Sequence, residues 1–169
     1  PIPPTATPLP PTATPLPPTA TPLPPTATPT PVSLSQDSVS EIYQSVRDTV
    51  VRIETLSGFG TGVLISSNGK ILTNAHVVQN YDFVSVILLN GDQLSAEVIG
   101  KNDDADIALL KIKSLNLPSL DYTKNVTIAV GDPVIAIGYA RGIEGDPTLT
   151  TGNISAIRQS CLGNFTCIQ

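Results

Sequence analysis

The sequence predicts an all-β fold built around a small antiparallel barrel, and two observations indicate it. Six short segments between residues 50 and 112 show the alternating or apolar pattern of strands. Two of their connections contain Asn-Gly, a strong local signal for a hairpin turn. Short strands joined by tight glycine-bearing turns are typical of small barrels. We therefore expect one complete barrel, followed by a second barrel that is only partly present.

The N-terminal residues 1–33 differ in composition from the rest of the chain. They contain fourteen of the seventeen prolines and no charged residue, and residues 1–28 are four copies of a seven-residue Pro/Thr unit. Prolines this frequent exclude a helix and favour extended polyproline II or disordered backbone. We interpret residues 1–33 as a stalk, with a flexible linker or a ligand for proline-binding modules as alternatives.

A short helix is predicted to precede the barrel. Ser38 and Glu41 fit a capping box, in which the serine accepts from backbone amides and the glutamate reaches back. Apolar residues then recur at helical spacing: Val39, Ile42, Tyr43 and Val46.

The strands of the first barrel follow this helix. Residues 50–56 alternate, with Val51 and Ile53 on one side and Arg52 and Glu54 on the other. The Asn-Gly pairs at 68–69 and 90–91 each predict a two-residue turn. The other five predicted strands flank or follow these turns: residues 62–66, 70–73, 83–89, 93–100 and 107–112.

Three further strands are predicted in the second half of the chain. They are residues 133–138, 149–157 and 165–169, and they begin the second barrel. We therefore assign residues 34–169 to a single β-rich domain.

Charge and hydropathy exclude several classes of function. The net charge of −5 provides neither a basic stripe for nucleic acid nor a polybasic anchor for a membrane. No apolar run approaches the roughly 18 residues of a membrane span. We expect no nucleic-acid partner and no membrane span within this chain.

The only histidine, His76, and the aspartate Asp106 are the candidate catalytic residues. His76 follows an apolar strand end, and Asp106 directly precedes the sixth predicted strand, so both side chains are expected at barrel rims. A histidine moves protons near neutral pH, and a carboxylate on its other nitrogen orients it. Each residue alone is a weak signal, because a lone histidine is more often structural and Asp103 could be mistaken for the partner.

The blocks around these residues resemble a known family. Residues 57–65, 68–78 and 104–111 resemble the chymotrypsin-like serine proteases, specifically the HtrA (Deg) branch, and residues 130–138 and 149–156 resemble the opening strands of its second barrel. The resemblance implies a chymotrypsin-like double β-barrel, with His76 as general base and Asp106 as orienting acid. Thr61 replaces the usual serine, and residues 138–142 read Gly-Tyr-Ala-Arg-Gly where the family usually has Gly-Asn-Pro-Phe-Gly.

The resemblance also implies where the nucleophile is. No serine lies in a Gly-x-Ser-Gly setting, and the family's Gly-Asn-Ser-Gly-Gly motif would follow Gln169. The expectation is a domain truncated before its nucleophile, so this fragment alone is expected to be inactive.

The function that the resemblance implies is a serine endopeptidase of the HtrA type. It would act on misfolded or exposed polypeptides in an extracytoplasmic compartment, secreted, periplasmic or tethered to the cell surface. The alternative is a catalytically inactive homologue that serves as a binding or scaffold module. The resemblance allows a homo-oligomer and a downstream PDZ domain, and no cofactor or metal is expected.

The two cysteines, Cys161 and Cys167, are close in sequence. A disulfide between them would close a short loop, stabilise the fold by roughly 2 kcal/mol and suit an oxidising compartment. Two free thiols are the alternative.

Overall fold

The computed structural model describes residues 34–113, 116–124, 126–162 and 165–169. The predicted stalk, residues 1–33, lies outside the described residues. The described part of the chain begins with one α-helix, α1 (Gln36–Val46), and continues mainly as β-strands.

Six antiparallel strands close into a barrel, which confirms the predicted all-β fold. Around the barrel the order is β1-β2-β3-β6-β5-β4. In chain order the strands are β1 (Val50–Thr55), β2 (Gly58–Ser66), β3 (Lys70–Thr73), β4 (Phe83–Ile87), β5 (Gln93–Asn102) and β6 (Ile107–Ile112). The chain crosses from β3 to β4 and returns through β5, so β3 and β6 become neighbours.

The barrel interior is filled by aliphatic side chains. Alternate residues of each strand point inward, and the largest fully buried ones are Ile53, Leu64, Ile71, Leu110 and Ile112. Each such side chain contributes about 1.5–3 kcal/mol of burial free energy. Packing of this core fixes the positions of the strand ends next to which the candidate site lies.

Two hairpins follow the barrel. Strand β7 (Pro133–Gly138) pairs with β8 (Thr148–Asn153), and β9 (Ile157–Leu162) pairs with β10 (Phe165–Ile168). They correspond to the expected partial second barrel.

The single strand predicted over residues 149–157 is wrong. The chain leaves strand geometry between β8 and β9, where Ile154 is buried and exchanges backbone hydrogen bonds with Gly131 and Asp132. The buried Ile154 continues the apolar pattern of the neighbouring strands. The pattern therefore does not indicate where one strand ends and the next begins.

The predicted capping box is also wrong. Ser35 is the N-cap of α1, and its hydroxyl accepts from the Ser38 amide at 3.2 Å. Ser38 therefore belongs to the first helical turn. Both serines are good cap residues. The helix begins at the earlier one, since the Val39 amide already donates to the Ser35 carbonyl at 3.0 Å.

The two Asn-Gly turns are longer than predicted. The pair Ser66↔Lys70 leaves three residues in the first turn, and Gly69 there has a φ of +88° that favours glycine. The pair Ile87↔Gln93 leaves five residues in the second. Both Asn-Gly signals identify a hairpin, but side-chain register decides its loop length.

No helix among residues 34–113, 116–124, 126–162 and 165–169 is long and apolar enough to cross a membrane.

We predict that Gly62→Ala destabilises the domain by about 1–3 kcal/mol through overpacking. A Cβ at this position of β2 would lie 2.6 Å from Ile71 Cγ2, 3.0 Å from Ile53 Cδ1 and 3.1 Å from Val51 Cγ2. Gly152→Ala in β8 is the matched control, since nothing lies within 4 Å of its added Cβ. Urea unfolding of both variants measures the difference, and equal midpoints would contradict the prediction.

Candidate active site

His76 lies on a short 3-10 turn, Ala75–Val78, that follows the end of β3. Ala75 and Val78 are buried and fasten the turn to the barrel core. Gly60 of β2 provides room for Val77, because a Cβ there would lie 2.4 Å from Val77 Cγ1. The His76 side chain points outward and is 68% exposed.

Asp106 lies immediately before β6, at the same rim of the barrel. Its φ of +53° falls in the left-handed region, which aspartate tolerates better than most residues. A tight turn imposes this conformation: Ala105 donates its amide to Asn102 Oδ1 at 2.9 Å, and Asp106 donates its amide to the Asp103 carbonyl at 3.3 Å.

The structure brings His76 and Asp106 into direct contact. His76 Nδ1 lies 2.8 Å from Asp106 Oδ2 and 3.0 Å from Oδ1, and the His76 amide donates to Oδ1 at 3.0 Å. An ionised carboxylate only accepts hydrogen bonds, so the proton of the neutral imidazole is assigned to Nδ1. Nε2 is then left with its lone pair, which is the state that a general base requires.

Asn74 is a third member of this group, and sequence reasoning missed it. Its Nδ2 donates to Asp106 Oδ2 at 3.1 Å and to the Asp106 carbonyl at 3.2 Å. The amide therefore holds both the carboxylate and its backbone. A polar residue directly after the last strand residue and two before the histidine was the available signal.

The pKa of Asp106 is lowered from its ordinary value. The main cause is the hydrogen bond from the His76 backbone amide, followed by the bond to the His76 side chain, while Asn74 contributes least. All of these favour the charged carboxylate. The carboxyl of Asp106 is thus held in its charged form by its hydrogen bonds.

Other predicted residues take other positions. Asp103, the rival carboxylate, pairs instead with Lys101 Nζ at 3.4 Å. Cys167 lies in β10, whereas the side chain of Cys161 lies outside the described residues, so the disulfide stays a prediction. Within the described ranges, no three His, Cys, Asp or Glu side chains form a group that could hold a metal ion.

Residues 60–168 match the family described as the trypsin-like peptidase domain. The chain belongs to the trypsin-like peptidase family. The matched residues include both His76 and Asp106, and they run from β2 to the end of β10.

The relatives of this peptidase domain are HtrA-type proteases. A probable periplasmic serine endoprotease, DegP-like, from Halomonas elongata is 40% identical over 107 residues, covering 63% of this chain and 22% of the relative. The serine endoprotease DegS of Haemophilus influenzae is 37% identical over 109 residues, covering 64% and 32%. The chain thus spans about a fifth to a third of the length of these relatives.

Solved structures of such proteases are similar to this chain in fold. The serine endoprotease from Yersinia pestis superposes with a TM-score of 0.64 at 33% identity, covering 74% of this chain and 46% of that one. The HtrA-type protease AlgW with tripeptide gives 0.68 at 32% identity, covering 75% and 42%. The expected chymotrypsin-like fold is therefore confirmed.

The substitution of Thr61 for the family's serine keeps a hydroxyl with a defined contact. Thr61 Oγ1 accepts from the Tyr139 amide at 2.9 Å, and the Thr61 carbonyl accepts from Thr73 Oγ1 at 2.8 Å. The residue thereby joins the first barrel to the chain that leaves β7.

We predict that His76→Ala raises the pKa of Asp106 only part of the way back to its ordinary value. The substitution removes the imidazole and keeps the backbone amide, which is the largest cause of the lowered value. Carboxyl-carbon NMR titration measures it. Asp121, whose pKa is lowered mainly by Thr123, is an internal control and should not move.

The sign of the accompanying stability change follows from linkage. Because the folded pKa of Asp106 is lowered, its stabilisation is present above the unfolded pKa and is lost as pH falls through the folded one. In His76→Ala the free energy of unfolding should therefore fall less as the pH is lowered. An unchanged Asp106 titration would show that the imidazole contact is absent in solution.

Proposed function

We propose that this chain carries the general base and the orienting acid of a serine endopeptidase. The contact of 2.8 Å between His76 Nδ1 and Asp106 Oδ2 carries the proposal, because it leaves Nε2 free on an exposed ring. Membership in the trypsin-like peptidase family, with relatives named as serine endoproteases, supports the same reaction.

In the proposed reaction His76 moves the proton and Asp106 remains charged. Nε2 takes the proton of a serine hydroxyl as that oxygen attacks the peptide carbonyl, and then returns it to the leaving amine. Asp106 stabilises the imidazolium formed between these steps, and the hydrogen bond from Asn74 keeps the carboxylate oriented toward the imidazole. The nucleophile and the oxyanion hole are proposed to lie in residues that follow Gln169.

The proposed substrates are misfolded or exposed polypeptides, and the proposed compartment is extracytoplasmic. The relative from Halomonas elongata is named a probable periplasmic endoprotease, which supports this compartment. A Pro/Thr stalk at residues 1–33 would suit a domain held away from an envelope surface.

We predict that Asp106→Asn lowers kcat by about 10⁴-fold in the full-length protein, because the amide stabilises the wrong histidine tautomer. His76→Ala should lower it at least as much. Asp103→Asn is the matched control, since Asp103 lies in the same turn and pairs with Lys101. Hydrolysis of an unfolded protein substrate is measured for all three variants.

The control identifies the residue, and the activity of the full-length protein separates the two functions considered for the chain. Full activity in Asp103→Asn together with its loss in Asp106→Asn assigns the role to Asp106. A full-length protein that cleaves no unfolded substrate and takes up no serine-directed reagent would favour the inactive binding homologue instead.

We also predict that residues 34–169 made alone show no peptidase activity. They supply the base and acid but no serine in a Gly-x-Ser-Gly setting, and the missing stabilisation amounts to many orders of magnitude. Hydrolysis of an unfolded protein by the purified polypeptide, blocked by a serine-directed reagent, would contradict this.

A further inference from the structure

Arg52 is a buried cation on the outer side of the barrel. It alternates with Val51 and Ile53 of β1 and so faces away from the core, yet it is only 8% exposed. Residues 139–147, the connection between β7 and β8, cover it. A charge buried by a loop needs partners, and those partners define what Arg52 does.

Its guanidinium group makes three close contacts. One nitrogen donates to the Gly142 carbonyl at 3.0 Å, and another pairs with Glu54 Oε1 at 2.8 Å. The carbon Cζ lies 5.6 Å from the centre of the Phe59 ring. Only the planar, forked guanidinium can donate in two directions and stack at once, which lysine cannot reproduce.

Other contacts hold the second half of the same loop. Tyr43 of α1 donates its hydroxyl to the Pro147 carbonyl at 2.8 Å. Arg47 pairs with Asp146 at 3.1 Å, and Glu144 lies 3.7 Å from Arg52, but these carboxylates are 62% and 88% exposed. Exposed ion pairs contribute little, so the buried bond from Arg52 dominates in the middle of the loop.

Direct packing connects the loop to the candidate active site. Gly142, at a φ of +64°, lies so close to Phe59 that a Cβ would fall 2.3 Å from its ring. The next residue of β2, Gly60, packs equally closely on Val77, which is adjacent to His76. Phe59 and Gly60 are consecutive in β2 and point to opposite faces of the strand, so the loop and the histidine turn pack on its two sides. The ring of Phe59 itself is 55% exposed.

We propose that Arg52 is a positioning residue that fixes the loop of residues 139–147 and the Phe59 ring on the outer face of β2, whose opposite face packs against the histidine turn. It acts through these groups and does not touch the reacting atoms. The loop and the Phe59 ring would border the path of a bound polypeptide, so the role of Arg52 in the reaction rests on the proposed peptidase function. Its role in holding the loop stands on the contacts alone.

The test uses the full-length protein with substitutions on both sides of the contact. Arg52→Met keeps the length of the stem and removes the fork, whereas Gly142→Ala displaces the loop from its own side. Arg52→Lys retains the charge and a donor but not the planar fork. Lys124→Met is the matched control, since it removes a cation that is 79% exposed.

Hydrogen exchange of the peptide spanning residues 139–147 is the first readout. We expect exchange about tenfold faster in Arg52→Met and Gly142→Ala, the change typical of losing a hydrogen bond to a charged group. Arg52→Lys should recover only part of the protection, and Lys124→Met should match the parent protein. Unchanged exchange in both loop variants would overturn the proposal.

Steady-state kinetics on active-site-titrated enzyme is the second readout. A displaced loop and Phe59 ring should raise KM several-fold, while the pH profile stays unchanged because the contact between His76 and Asp106 is intact. Faster exchange with unchanged KM would reduce Arg52 to a structural residue and overturn the positioning role. A parent protein without peptidase activity would refute the proposed function, while the exchange result would still test the loop contact.

Discussion

The pairing of β3 with β6 is the constraint on which the candidate site depends. In this antiparallel pair Thr73 lies opposite Ala108, so the end of β3 and the start of β6 meet at one rim of the barrel. His76 follows the first of these positions, and Asp106 precedes the second. A register shift of one residue would turn the side chains of β3 to the other face and separate the pair.

Local strain at this rim is offset by hydrogen bonds. Asp106 holds a left-handed backbone conformation, yet its carboxylate accepts from the His76 amide, the His76 ring and the Asn74 side chain. Residues held in sparsely populated conformations by surrounding contacts are common at functional sites. The same bonds lower the pKa of the carboxyl and orient the imidazole, so one arrangement sets both charge and geometry.

Glycines in β2 determine how closely other parts of the chain approach the barrel. Gly62 admits the core side chains of neighbouring strands, and Gly60 admits the histidine turn. On the outer side, Gly142 brings the loop after β7 onto Phe59. Strand β2, against which the histidine turn packs, is thus contacted from the barrel interior, from the rim and from the loop after β7.

Local patterns in the sequence were enough to predict the strands of the barrel, the two hairpin positions and the candidate residues His76 and Asp106. Alternation, Asn-Gly turns and family motifs are all read within short segments of the chain. The fold was needed to locate the N-cap at Ser35, the break at Ile154, the hydrogen bonds from Asn74 to Asp106 and the burial of Arg52. The last two depend on partners 32 and 90 residues away, and the spacing of residues along a chain does not specify which distant groups meet.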